Sequence, residues 1–285
     1  MNKKLAEKIM EMPEKYKQGY FFNEKLHLHL YAGKPLTGTS SVGDGLAKNL
    51  TWWAAELSAV ECLESGEHIP TIRQEYLDAK SKKGAEKKKA IDALCLKYPI
   101  FKKARFAHYE NKKTKANEGA DLHAELEKFV KSEMGIKKYQ DSEFHPRIKP
   151  FVDWSRQNVK KFLWSEANCY ELDLWVGGVS DWGAELNNGM IGVFDAKSSE
   201  EVYPSQFIQA GGYVIQIDTN GLWDAKGEKN KKLDKPIDFI AIVPFGAEII
   251  EPQIRYEVEA YKNGFRWAMG LYRLMDLDKQ LTKKI

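Results

Sequence analysis

Gly-Gly-Val-Ser-Asp at 177–181, Val-Phe-Asp-Ala-Lys-Ser-Ser at 193–199 and Gln-Ala-Gly-Gly-Tyr at 209–213 together decide the fold. The first two blocks read as strands, Val179 to Leu186 and Met190 to Lys197, joined around Asn187-Asn188-Gly189. Asp195 and Lys197 are two apart on a strand, so both side chains leave it on one face. Two carboxylates and an ammonium converging on one point make a poor core, because buried charge is costly unless paired or metal-bound.

The loop between these strands decides whether Asp181 and Asp195 meet. A two-residue turn at Asn188-Gly189 pairs Asn187 with Met190 and sets Asp181 opposite Ala196, with the two acids on opposite faces. A three-residue loop, Asn187-Asn188-Gly189, pairs Leu186 with Met190 and sets Asp181 against Asp195. Gly189 then takes the left-handed position of a bulged hairpin, which suits a residue without Cβ. We expect the three-residue loop, or a bulge of the same parity, despite the Asn-Gly preference for the shorter turn.

Working outward, Leu122, Leu126, Phe129, Val130 and Met134 form one face of a helix ending at Gly135. Phe151 to Trp164 reads as a further helix and Tyr170 to Val176 as a strand. Pro204 opens a helix through Tyr213, with Val214 to Ile217 as a strand or its continuation. Ile237 to Pro244 is an apolar strand and Ile254 to Met275 a closing helix. Upstream, Tyr20 to Phe22 and Leu26 to Tyr31 read as strands, with a turn at Ala32-Gly33-Lys34-Pro35. Leu50 to Leu63 and Ile72 to Leu96 have helical spacing, the second bent near Gly84 and ended by Pro99. Trp52 and Trp53 read as core aromatics. The expected fold is α/β: a mixed central sheet flanked by helices over 116–285, preceded over 1–115 by a hairpin and a mainly helical cap.

The 285 residues, 43% hydrophobic and 30% charged, suffice for a substantial core. No apolar run approaches the ~20 residues that span a bilayer, and the N-terminus lacks the apolar stretch of a secretion signal. A cytosolic protein without membrane contact is expected. The three cysteines, Cys62, Cys95 and Cys169, have no paired spacing, which excludes a disulfide framework or a zinc or iron–sulfur site. A net charge of +3 does not by itself announce a polyanion binder. Basic residues do cluster, at Lys82, Lys83, Lys87, Lys88 and Lys89 and at Lys102, Lys103, Arg105, Lys112, Lys113 and Lys115. Such runs are either solvated helix faces or contacts that track a phosphate backbone.

Gly119–His123 (Gly-x-x-x-His), Gly178–Asp181 (Gly-x-x-Asp), Asp195–Lys197 (Asp-x-Lys) and Gln209–Tyr213 (Gln-x-x-x-Tyr) occur in an order that resembles the RecB-like nucleases of the PD-(D/E)XK superfamily. The chain is similar to phage exonucleases, CRISPR-associated RecB-like nucleases and mitochondrial genome maintenance exonucleases. The motif-bearing part covers Glu118 to Tyr213; Gly33 to Thr39 also resembles phage-type members. The resemblance implies a restriction-endonuclease-like core and a metal-dependent deoxyribonuclease working on DNA ends in phage-type recombination or replication. An endonuclease of the same fold, or a DNA-binding module without catalysis, are the alternatives. The host would be a bacterium or a phage-infected cell, with a homo-oligomer or a recombination protein as further partners.

The residues support these roles. Asp181 and Asp195 offer hard oxygens suited to magnesium or manganese, and His123 adds an imidazole. The resemblance adds the backbone carbonyl of Ala196 as a ligand. Lys197 would orient or deprotonate the attacking water and offset charge on the phosphate. Gln209 and Tyr213 share a helix face, and the resemblance assigns them contacts to phosphate or water. By the resemblance Glu166 matches a position before the first strand, either at the edge of the site or with a plain surface role. Two departures stand out. A four-cysteine cluster cannot form, and no phosphate loop of the Gly-x-x-x-x-Gly-Lys-Ser/Thr type occurs, so a stand-alone enzyme without a motor is expected.

Overall fold

Residues 18–44, 58, 69–224, 226–245 and 251–282 are described by this computed structural model. Apart from Ser58, the helix expected over Leu50–Leu63, with Trp52 and Trp53, lies outside them. By contacts the chain divides into two units, Lys48–Glu118 and the remainder.

The remainder begins with an antiparallel three-stranded sheet of β1 (Tyr20–Asn23), β2 (Leu28–Tyr31) and β3 (Lys34–Pro35). Strand β4 (Thr37–Gly38) and the short helix α1 (Thr39–Asp44) follow. The separate unit holds α2 (Ile69–Ser81), α3 (Gly84–Lys97) and the start of α4 (Pro99–Glu133). Pro99 opens α4 as well as ending α3. Its missing N–H costs nothing at a first helical position, where that donor has no intrahelical partner. Next come α5 (Lys149–Asn158), β5 (Val159–Glu171), β6 (Val176–Leu186), β7 (Ile191–Lys197) and α6 (Pro204–Asn220). The chain closes with β8 (Leu222–Trp223), β9 (Asn230–Lys231), β10 (Phe239–Pro244), β11 (Gln253–Arg255) and α7 (Val258–Thr282).

The central sheet runs β11-β10-β7-β6-β5-β8-β9, with β4 lying parallel to β6. Strands β5, β6 and β7 form an antiparallel meander, and α6 carries the chain across to β10, parallel to β7. A parallel neighbour requires such a crossover. Strand β10, Phe-Ile-Ala-Ile-Val-Pro, is buried throughout, as a strand covered on both faces must be. One face carries Leu122, Leu126 and Phe129 of α4 and Phe151 of α5 against Trp182, Phe194 and Phe239. The other carries Phe207, Ala210, Val214 and Ile217 of α6 against Ile191, Val193, Ile240 and Ile242. The fold is thus α/β, with a mixed sheet flanked by helices. Among the described residues no helix is long and apolar enough to cross a membrane.

Several boundaries differ from expectation; the closing helix expected from Ile254 starts at Val258, because Gln253–Arg255 pair with β10 as β11. The helix expected to Trp164 ends at Asn158, and β5 starts at once. Val159, Phe162 and Leu163 recur at helical spacing because β5 has register irregularities between Val159 and Lys161 and between Phe162 and Trp164, which break the alternation of a regular strand. The strand expected over 170–176 is cut by a turn. There the Glu171 carboxylate accepts the amides of Asp173 at 2.9 Å and Leu174 at 2.6 Å. Residues 18–44 group with the chain from Gly119 onward rather than with the helices that follow them. Pairing of Thr37 and Gly38 with Val176 and Gly177 holds them there. Val214 to Ile217 continue α6.

The β6–β7 loop is the three-residue one. Leu186 donates to the Met190 carbonyl and Gly189 to the Leu186 carbonyl, each at 2.9 Å, and Gly189 has φ 84°. The ladder pairs Trp182 with Phe194 and Glu185 with Ile191, so counting one step on sets Asp181 opposite Asp195. A Cβ at Gly189 meets nothing within 4 Å, so the position is conformational and not steric. Gly189→Ala is therefore expected to destabilise by about 1–2 kcal/mol in urea unfolding, and Gly189→Asn by less. Equal stability of all three proteins would contradict the assigned loop.

Candidate active site

The site forms where the pleat of the central sheet slips. Trp164 and Ala167, three apart on β5, both join the core beneath α6. On β6 the equivalent pair is Ser180, whose hydroxyl accepts the Trp164 Nε1–H at 3.1 Å, and Gly183. A Cβ at Gly183 would lie 2.0 Å from the Trp164 ring. In a regular strand residues two apart share a face, so the inward–outward alternation of both strands shifts at the same level while their pairing register holds. Glu166 marks the slip on β5, with φ 49°, an unusual backbone for a residue with a Cβ. The flanking pairs Ser165–Trp182 and Ala167–Ser180 place Glu166 across from Asp181. Three acids on three neighbouring strands, Glu166, Asp181 and Asp195, therefore stand in a row.

The row makes one connected set of contacts. His123, on α4, brings Nε2 to 3.2 Å from Asp181 Oδ2 and 3.7 Å from Glu166 Oε1. Asp181 Oδ2 also accepts the Ala196 amide at 2.7 Å. Lys197 Nζ lies 2.6 Å from Asp195 Oδ2 and donates to Gln209 Oε1 at 3.3 Å. Gln209 Nε2 then donates to the Tyr213 hydroxyl at 3.0 Å. The Gly177-Gly178 pair allows the N-terminal segment to approach: a Cβ on Gly178 would come within 2.6 Å of both Thr39 Oγ1 and Tyr213 Cε1. Thr39 Oγ1 donates to the Gly177 carbonyl at 3.1 Å and accepts from Gln216 Nε2 at 2.8 Å.

Burial sets the electrostatics. It would depress the His123 imidazole, but the hydrogen bond and charge of Asp181, with Glu166 and Asp195 beyond, push it up to about 9. Burial raises Glu166 to about 7, and the Asp181 charge adds to it. Burial also holds Asp195 above the usual carboxylate range, Lys197 opposing and Asp181 reinforcing. The Tyr213 phenol is held well above its ordinary value by burial and the two aspartates, so it stays neutral. Without a cation, the His123 proton and the Lys197 ammonium offset Asp181 and Asp195, and a divalent ion at this site would displace the His123 proton.

His123, Glu166 and Asp181 offer ligand atoms all within 4.8 Å of one another. Glu166 Oε1 is buried and has no hydrogen-bond partner among the described residues. Hard carboxylate oxygens with one imidazole suit magnesium or manganese, so these residues fit a divalent ion. The grouping differs from the expected His123, Asp181 and Asp195. The slip turns Glu166 and Asp181 toward His123, while Asp195 stays in phase with Val193, where Lys197 covers it. Ala196 enters through its amide. Gln209 and Tyr213 join the set through Lys197.

A cleft of about 1130 Å³ opens on the cluster, lined by His123, Glu166, Asp181 and Tyr213 and walled by β1–β2 and β8–β9. The β8–β9 wall, with Trp223, Lys229 and Lys231, carried no signal that singled it out; only its run of lysines after Gly227 could have done so. No family model matches the sequence, and no curated protein matches it.

Glu166 gives a signed test. Its folded value of about 7 lies above 4.5, so the folded chain holds the extra proton between them and stability is lost as pH rises through that window. His123 acts in the same direction between 6.5 and about 9. In chelator at pH 8, Glu166→Gln is expected to raise Tm by a few degrees, roughly the scale of 1 kcal/mol or more. Manganese should raise the Tm of the wild type but much less that of the variant. A variant that melts lower in chelator and shifts fully with manganese would remove Glu166 from the site.

Proposed function

We propose that this protein is a metal-dependent deoxyribonuclease that hydrolyses phosphodiester bonds at DNA ends. One observation carries the reading: a cation-recruiting cluster, His123, Glu166 and Asp181, is joined through the Ala196 amide to a strand that also bears Asp195 and Lys197. Carboxylates alone would repel a polyanion, so a cation is needed for binding as well as chemistry. His123, Asp181 and Glu166 would hold magnesium or manganese, with Asp195 next in the row and the Ala196 carbonyl as the ligand suggested by the resemblance. The bound cation would supply Lewis acidity toward the phosphate and acidify a water. Asp195 and Gln209 hold the Lys197 ammonium in place, where it offsets charge on the phosphate and orients the water. Tyr213, kept neutral, fixes Gln209 and borders the cleft. Lys82, Lys83, Lys87, Lys88, Lys89, Lys102 and Lys103 are exposed on the separate helical unit and are suited to sequence-independent phosphate contacts.

The test is digestion of 5′- and 3′-labelled linear DNA and covalently closed circles, with magnesium and with manganese. Linear DNA should be degraded from its ends and circles spared; cut circles would favour the endonuclease alternative. Lys197→Ala should lower cleavage by about 100-fold or more while DNA affinity changes little. Activity within about tenfold of wild type would be incompatible with its role.

A further inference from the structure

Helix α7 meets the core with one face and carries a second apolar face that the described residues leave uncovered. Phe265, Ala268 and Met269 pack with Val42, Val176 and Ile215. Beside them Trp267 is 77% exposed, Leu271 50%, Leu274 64% and Met275 45%. Positions 260, 264, 267, 271 and 274 alternate steps of four and three, the repeat of a two-helix seam. Packing on a single core needs no such second stripe, and a contiguous exposed apolar patch marks a contact with another molecule.

The seam is graded in size. At its small end, Ala260 and Gly264, a groove of about 620 Å³ opens along α7 beside Ile208 of α6. Glycine keeps this groove open, because a Cβ at 264 would come to 3.2 Å from Ile208 Cγ1. Of the residues lining it only Glu257 is charged, so the groove has little with which to orient a polar small molecule and suits an apolar side chain. The large end of the seam, Trp267, Leu271 and Leu274, supplies such side chains. Two parallel copies of α7 would set Gly264 on Gly264 and Trp267 on Trp267, a void beside a collision, both of which close packing penalises. Antiparallel copies centred on Met269 set Leu274 over Gly264 and Leu271 beside Trp267, which fills the groove and avoids the collision.

We propose that two copies of this chain associate through α7, antiparallel about a two-fold axis, each placing Leu274 in the groove over Gly264 of the other. The same patch serves both copies, so the contact closes at two. Burying Trp267 removes ~150–250 Å² on each copy. With Leu271, Leu274 and Met275 the pair buries on the order of 1,000 Å², the threshold of a specific interface. A contact of that size predicts a micromolar dimer.

The experiment is sedimentation velocity of the full chain from about 1 to 100 µM, the range in which such a dimer forms. The mass should rise toward twice the 32.7 kDa of one chain. Trp267→Glu and Leu274→Glu should each weaken association about tenfold or more, and both should melt like the wild type at concentrations where it is monomeric. Register is tested by oxidising a mixture of Trp267→Cys and Leu271→Cys chains, which should link into a disulfide dimer faster than either chain alone, because only the mixed pair brings the two thiols together. A wild type that stays monomeric throughout overturns the proposal, as does one that assembles into rings of three or more. A dimer indifferent to both glutamates, or a mixture that links no faster than its components, overturns it as well. None of these measurements involves DNA or a metal, so their outcome is independent of the nuclease reading.

Discussion

Carboxylates withdrawn from water must find a counter-charge, and the arrangement of this molecule follows from that requirement. Asp195 is 2% exposed in its side chain and is covered by Lys197. Asp181 is met by His123 and by the Ala196 amide. Glu166, the third in the row, is left with an open oxygen. Breaking up such a set costs several kcal/mol when a buried charge loses its partner, so neighbouring elements are constrained to stay. Helix α4 must present His123, β7 must present Lys197 in phase with Asp195, and α6 must bring Gln209 to the lysine.

The backbone accommodates this at a local cost. Glu166 occupies the left-handed region, and the inward–outward alternation of its strand and the next shifts there. Strain of this kind persists where surrounding structure over-determines it and tends to gather at functional sites. Here the surroundings include the Trp164 ring seated over Gly183 and the N-terminal segment seated over Gly177 and Gly178. The same glycines that admit those neighbours leave room for the cleft beside them.

Much of this was legible in the sequence, for identifiable reasons. The mixed sheet and its helices follow from periodicity, and the β6–β7 loop follows from a parity argument: only a three-residue loop sets Asp181 against Asp195. Turn propensity alone favoured the other answer. Glu166 was less legible, because its place beside His123 depends on a backbone excursion that a glutamate does not announce. The start of β5 was misread because its irregularities give Val159, Phe162 and Leu163 the spacing of a helix. The seating of residues 18–44 depends on the β4–β6 pairing between Thr37–Gly38 and Val176–Gly177, a contact too distant in sequence for local pattern to reveal.

The central claim is that the acidic row recruits a divalent cation between α4 and the sheet. Anomalous scattering from a crystal of the full chain soaked in manganese tests it most directly. The account predicts a strong peak bonded to His123 Nε2 and Asp181 at roughly 2.0–2.3 Å, with Glu166 or Asp195 completing the oxygen set. A manganese peak elsewhere, or none with His123 still against Asp181, would contradict it.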